Sequence, residues 1–393
     1  MHISRSTRRG VSGLAVIALA SVLLVATGAA GQADSRSGFS HHEPRGDDLA
    51  VNQVNMVSDL STVGAALVDP DLVNPWGLAL GPTTPLWSAN NGTDTATLYS
   101  SSAGSTTATK SPVVRVTLPG APSLPTGQVF NPTTGFVLSN GTTSAPAAFM
   151  FSSQTGQILA WSPRVDPLMG DAEVKVPANP ENVYTGLALA TATAGPQLYA
   201  ANFSQRRIDV FDATFAPVPT QPWQFRDSRL PRGYAPFSVH TLDGNLYVAY
   251  AKVDPATGEE MHGRGLGFVD EFSPGGVLLD RVVGRHTLDA PWGVALAPGS
   301  WGRLAGKLLV GNFGDGRITV VDPTRHGRHG DHRGSGGRIV DLLRSADTGR
   351  TLVIPGLWDL LPGTATTGGT DSVWFSAGID DETHGLVGVL RTP

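Results

Sequence analysis

Three features of this sequence point to an all-β fold, a six-bladed β-propeller. The composition is turn-rich and weakly charged, a pattern recurs about every 54 residues, and a strand missing from the last repeat has a counterpart near the start. Charged residues make up 16% of the 393, against roughly a quarter in an average soluble domain. The 48 Gly and 29 Pro approach a fifth of the chain, which favours short strands and many turns over helix. A length of 393 residues means two or three ordinary domains or one large β architecture, and the repeat selects the second.

Residues 1–33 come first. Arg5, Arg8 and Arg9 precede an uncharged stretch from Gly10 to Ala33, mostly apolar from Val11 to Val25 and ending in small residues. These are the three parts of a secretory signal, with cleavage expected after Ala30 or Ala33. Arg8-Arg9 half-matches a twin-arginine signal, so bacterial export by the general secretory or the twin-arginine route places the mature protein outside the cell. Gly10, Ser12, Gly13, Ser21, Thr27 and Gly28 argue against an uncleaved membrane anchor, so no stable span is expected after cleavage. Residues 34–50 are polar and aperiodic, a disordered linker in which Arg45-Gly46-Asp47 is a chance triplet.

The propeller occupies 51–393. Residues 51–58 (VNQVNMVS) form a strand with no partner nearby in sequence. Segments 74–100, 184–212 and 290–322 then share one plan. An aromatic or Thr precedes Gly, alternating apolar residues lead to a turn, and an apolar run ends in Asn before a third strand. Gly77, Gly186 and Gly293 align, 109 and 107 residues apart, two periods each. Weaker copies lie between them, at 127–162 and 235–272, and a sixth begins at Gly356. That sixth copy stops at its third strand near Leu390, so strand 51–58 is expected to complete the last blade and close the ring without a disulfide, which a chain with no Cys requires. Segment 322–338 (DPTRHGRHGDHRGSGGR) is a flexible basic insert in the fifth repeat.

In order along the chain, "NQVNMVSDL", "DPDLVNPWGLAL", "YTGLALA", "LYAANF", "RIDVFD", "GYAPFSV", "APWGVALAP", "LLVGNFGDGRI", "GLWDL" and "AGIDDETHGLVGVL" carry a resemblance over about residues 51–390. The chain resembles a family of exported bacterial six-bladed propeller proteins of unassigned function. Its blade pattern is similar to that of NHL-repeat propellers, whose third strand follows an Arg-Ile or Arg-Val pair as at Arg207-Ile208 and Arg317-Ile318. Some members of that family end in an apolar sorting tail. None is present here, which implies release. The resemblance implies fold and export, and no reaction.

In a propeller the loops between blades and those between second and third strands open on one face around the channel. That gathers Asn74, Trp76, Asn90, Asn91, Asn202, Phe203, Phe237, Trp292, Asn312, Phe313, Asp315 and Trp358 into a candidate ligand-binding face of amides and aromatics. Turn duty for Asn and packing duty for Trp compete with that role. Oxygen ligands from several blades would suit calcium, as in lactonase-type propellers, with Asp371, Asp380 and Asp381 as metal ligands and Glu382 beside them. His384, flanked by those carboxylates, is the candidate general base. His262, with Glu259 and Glu260 in the glycine-rich run 258–267, is placed to reach the channel mouth, and His240, inside an alternating strand, is expected to be packed.

Some classes are excluded. Without Cys there is no thiolate chemistry, and 28 basic against 33 acidic residues, a net charge of −5, give no attraction to nucleic acid. There is no Gly-x-Ser-x-Gly elbow, no His-Glu-x-x-His, no phosphate loop and no dinucleotide fingerprint. The expectation is a secreted, monomeric binding scaffold for a small molecule, glycan or protein. The alternative is a cation-dependent, lactonase-like hydrolase or lyase at the central channel.

Overall fold

A computed structural model describes residues 49–119, 122–167, 170–284, 287–323 and 337–393. The expected signal (1–33), the linker up to residue 48 and nearly all of the insert 322–338 lie outside the described residues.

Among the described residues six small, mainly antiparallel blade sheets follow one another along the chain. From inner to outer strand, blade 1 is Pro75–Ala79, Leu86–Asn90, Thr95–Ser100 and Thr109–Thr117. Blade 2 is Pro125–Phe130, Phe149–Ser153, Ile158–Trp161 and Glu173–Val176. Blade 3 is Tyr184–Ala192, Gly195–Asn202, Arg207–Phe211 and Pro217–Val218. Blade 4 is Tyr234–Leu242, Asn245–Val253, Gly267–Phe272 and Leu278–Val283. Blade 5 is Pro291–Leu296, Leu308–Asn312, Ile318–Asp322 and Arg338–Leu342. Blade 6 takes Leu357–Pro362, Ser372–Ala377 and Leu386–Arg391 from the end of the chain. Its outer strand is Ala50–Ser58, antiparallel to Leu386–Arg391 in a register from Asn52↔Arg391 to Ser58↔Leu386. The expected closure is the observed one.

Each blade is a half-exposed sheet that cannot bury itself, so the apolar alternation of its strands is satisfied only against its neighbours. Trp87 of blade 1 stacks on Phe149 of blade 2 with centroids 4.1 Å apart, and Trp161 tilts against it at 5.1 Å. Between blades 5 and 6, Trp301, Leu309, Val320, Leu360 and Phe375 form one buried cluster. Near the axis, in blades 1, 2, 3 and 5, the inner strand comes so close to the next that a side chain cannot fit between them. A Cβ on Gly293 would lie 2.7 Å from the Trp358 carbonyl oxygen, and one on Gly127 would run into the Leu187 amide. Gly77 and Gly186 meet their neighbouring blades in the same way, so the aligned glycines mark the axis rather than turns.

Candidate functional site

The residue before each glycine points to the same ring. Trp76, Phe237, Trp292 and Trp358 come from blades 1, 4, 5 and 6, with Thr126 and Thr185 at the same register in blades 2 and 3. Trp358 stacks on Trp76 at 3.6 Å and on Phe313 at 3.9 Å, and Trp292 meets both tryptophans edge-on at 6.4 and 6.0 Å. Phe203 and Phe237 complete a cluster in which no ring is more than 7% exposed. The expected aromatics therefore do converge on the channel, as a packed plug rather than an open face. Stacking and edge-to-face pairs add to the burial of each ring, so their strongest partners are one another.

The asparagines are engaged too. Asn90 bonds Ser88, Thr95 and Thr97 within its own blade. Asn91 donates to the Pro125 carbonyl at 3.0 Å, joining blades 1 and 2. Asn202 donates to Asp209 and Asn182 and accepts from the Val183 and Gln205 amides. Asn312 accepts from the Asp289 amide and donates to Arg317 and Thr319. Asn74 accepts from Trp358 Nε1 at 3.0 Å and donates to Glu382 at 2.8 Å. These buried amides hold turns and blade contacts.

The carboxylates expected for calcium do not assemble. Asp371 and the Asp380–Asp381 pair sit at opposite ends of strand Ser372–Ala377, about 20 Å apart at 3.3 Å per residue. Among the described residues no group of three or more His, Asp or Glu is arranged to hold a metal ion. Asp315 faces its own turn, accepting from the Arg317 amide at 3.1 Å. His384 Nδ1 lies 2.6 Å from Asp59 Oδ2, and Asp59 also accepts from the Gly385 amide, so this histidine clamps the segment after the closing strand to the turn before Leu386–Arg391. His262 does reach the plug, edge-on to Phe313 at 5.3 Å and 3.5 Å from Glu260. The bond to Glu260 raises its pKa against burial. Glu382, at the same rim, is pushed up to about 7 by burial and by the Glu260 and Glu259 charges, against its bond from Asn74.

Beyond the plug, toward the C-terminal ends of the inner strands, the channel holds a cavity of about 270 Å³ to which all six blades contribute. Its wall is apolar, including Leu78, Val129, Leu187 and Val294, with Trp292 alone from the expected ligand face. Besides Thr241, three polar side chains break that wall. Asp359 stands in blade 6 at the register of the glycines, Gln128 one position later in blade 2, and His240 two positions later in blade 4. They come from alternate blades, while the matching positions of blades 1, 3 and 5 are Gly, Leu or Val, and Ala.

Each is held by neighbouring backbone. Asp359 accepts from the Leu78 amide at 2.8 Å and from the Leu360 amide at 2.7 Å. Burial raises its pKa to about 7 against those bonds. His240 Nε2 lies 2.9 Å from the Trp292 carbonyl, which can only accept, so the proton sits on Nε2 and Nδ1 is bare. Burial lowers this imidazole to about 4, opposed by that same bond. Nδ1 stands 3.9 Å from Asp359 Oδ1, too far for a hydrogen bond, and with the imidazole neutral at pH 7 the two are neighbours rather than an ion pair. Gln128 Nε2 donates to the Gly77 and Trp87 carbonyls, while its buried Oε1 has no partner.

Sequence reasoning expected His240 to be packed, whereas its side chain is 16% exposed at the cavity wall, and it passed over Asp359 and Gln128. The signal was present in the weak repeats. Blades 2, 4 and 6 depart from the Gly-apolar-Ala consensus at the positions that supply the channel's polar groups.

With this geometry in place, sequence relatives can be weighed. Two uncharacterized proteins of Acanthamoeba polyphaga mimivirus align along most of their length. One is 34% identical over 349 residues, 87% of this chain and 86% of that one. The other is 33% identical over 346 residues, 86% and 80% respectively. This chain belongs to their family. The relatives are viral, so they do not carry the bacterial origin or the NHL-like relationship that the blade motifs suggested, and no protein-family model matches the chain. Among solved structures, an α-L-arabinanase of Penicillium chrysogenum in complex with arabinobiose superposes with a TM-score of 0.50 at 12% identity, covering 87% of this chain and 98% of the enzyme. At that identity the likeness shows the propeller alone.

Proposed function

We propose that the protein is a small-molecule-binding propeller whose ligand site is the channel cavity lined by Asp359, His240 and Gln128. One observation carries this. Three polar side chains from alternate blades stand in a pocket that, Thr241 apart, is lined by apolar side chains, and the bare imidazole nitrogen beside the Asp359 carboxyl has no protein donor. Buried acceptors without donors are costly, and polar residues at positions where the other blades carry apolar ones call for a compensating role. About 270 Å³ is below the usual range for drug-sized ligands, so the ligand is small.

The test is a thermal-shift panel of small amines, polyols, sugars and lactones at millimolar concentration, on the wild type and on Leu189→Trp, which fills the cavity from its edge. A ligand that binds only the folded state raises the unfolding temperature by mass action. At least one probe is expected to stabilise the wild type and lose its effect in Leu189→Trp. No shift with any probe, or equal shifts in both proteins, overturns the proposal.

A second reading, acid–base catalysis in the same pocket by a hydrolase or lyase, is favoured by Asp359. A carboxyl held near 7 beside a neutral imidazole is poised to exchange a proton at physiological pH. Turnover of a lactone or ester that Asp359→Asn abolishes would select it. The cation dependence expected of such an enzyme has no support in the positions of Asp371, Asp380 and Asp381.

A further inference from the structure

The atoms facing the cavity specify more than size. His240 Nδ1 is an acceptor because Nε2 is committed to the Trp292 carbonyl. Asp359 Oδ1 and Oδ2 take backbone amides and keep lone pairs to spare. Gln128 has both amide hydrogens committed, and its oxygen is buried without a partner and closed off from the cavity. Thr241, at the wall, donates its hydroxyl to the Leu189 carbonyl at 2.9 Å. Among the described residues the pocket thus offers the acceptors of His240 and Asp359 and no Lys or Arg, and once Asp359 ionises it holds no free side-chain donor. A ligand rich in acceptors or bearing negative charge would meet lone pairs on every side.

Geometry narrows this further. Two acceptors 3.9 Å apart cannot bond each other. A nitrogen about 2.8 Å from each, an ordinary charge-assisted bond length, would subtend roughly a right angle, within reach of two hydrogens on one tetrahedral centre. Resting on the proposal that this cavity is the ligand site, we infer that its ligand is a small organic ammonium ion, a primary or secondary amine whose N–H groups bridge His240 Nδ1 and Asp359 Oδ1 while its apolar body lies along the channel wall.

This assignment makes binding depend on pH in a defined way. The group that must ionise is Asp359. The groups facing it are the Leu78 amide of blade 1, its neighbour Leu360, and His240 of blade 4, which among the described residues is the titratable side chain near it and stays neutral above its lowered pKa. Burial, not a second charge, keeps the carboxyl protonated up to about pH 7. A bound ammonium supplies the missing countercharge. Affinity for an alkylamine, itself cationic throughout this range, should therefore rise about tenfold per pH unit below 7 and level off above it.

The experiment uses n-butylammonium chloride, with n-butanol and xylitol as neutral probes, titrated calorimetrically into the protein between pH 5.5 and 8.5 at fixed ionic strength. The expected result is butylammonium binding with that pH profile, binding independent of pH in Asp359→Asn, and weaker binding with the profile retained in His240→Gln. The wild-type profile needs no variant, so a misfolded substitution leaves the test intact. If butanol or xylitol binds and butylammonium does not, or if butylammonium binds without pH dependence, the ammonium assignment is overturned while the channel-site proposal stands. If no probe binds here or in the wider thermal-shift panel, both fall.

Discussion

His240 shows how much one side chain can set. An imidazole normally titrates near 6.5, and burial in the channel lowers this one to about 4. Below pH 6.5 the unfolded chain takes up a proton that the native state refuses, so stability is lost as pH falls from 6.5 toward 4. At about 1.4 kcal/mol per pH unit the loss approaches 3 kcal/mol. Asp359 and Glu382 act in the opposite sense. Their folded pKa values near 7 exceed the ordinary carboxyl range, so they destabilise above it and the molecule gains as pH falls from 7. The wild-type profile is therefore flattened, and the histidine must be isolated by difference. His240→Gln keeps an N–H for the Trp292 carbonyl and removes the titration. Urea unfolding of both proteins at pH 7.5 and 4.5 should show the stability difference move by about 2–3 kcal/mol in favour of the variant at acid pH. A difference independent of pH would show that this imidazole titrates normally.

Among the elements, the turn between the last two strands is the most strained. Asp380, Asp381 and Glu382 have φ of 52°, 53° and 63°, three successive non-glycine residues in the left-handed region. Such residues cost roughly 1–2 kcal/mol each, less for Asp, and persist only where the surroundings impose them. Here the Thr383 hydroxyl donates to the Asp380 carbonyl at 2.6 Å, the His384 amide to Ile379 at 3.2 Å, and Asn74 to Glu382 at 2.8 Å. Asp381 is exposed, and no side-chain hydrogen bond holds it. Asp381→Gly should stabilise by up to about 1 kcal/mol and Asp381→Val destabilise by at least as much, measured as midpoint shifts in urea. Equal effects would mean that this turn relaxes to ordinary backbone. The acidic run was visible in the sequence, but its left-handed path was not, because one of the contacts that hold it, from Asn74 to Glu382, spans 308 positions. The blades were visible for the converse reason. Four of the six inner strands repeat a glycine, at 77, 127, 186 and 293, because the next blade's backbone leaves no room for a Cβ there, so a tertiary constraint is written locally. The channel site was the hardest to read, since Gln128, His240 and Asp359 lie far apart in sequence and each looks like a defect in a repeat until the ring brings them together.

For the molecule as a whole the decisive element is the strand Ala50–Ser58. It pairs antiparallel with Leu386–Arg391 and parallel with Arg344–Ser345 and Leu67–Val68, so one segment joins blade 6 to the structure on either side of it. Val51, Met56 and Val57 are completely buried along it. At about 1.5–3 kcal/mol per buried apolar side chain, those three contribute on the order of 5–9 kcal/mol before the entropy of ordering the strand is subtracted. That is comparable to the whole stability of an ordinary domain. The Asp59–His384 contact at 2.6 Å fastens the end of the same segment. A chain beginning at Leu60 should therefore leave Leu386–Arg391 as an open edge, unfold at a much lower urea concentration and self-associate through that edge. A synthetic peptide covering residues 49–60, added in trans, should restore the elution volume of the intact protein and most of the lost stability, because it returns the strand without the covalent link. If the truncated chain unfolds at the wild-type midpoint, closure by this strand contributes little and the five complete blades with their inter-blade clusters suffice. If it is destabilised and the peptide does not rescue it, the covalent connection from Asp59 through Val68 matters more than the strand itself.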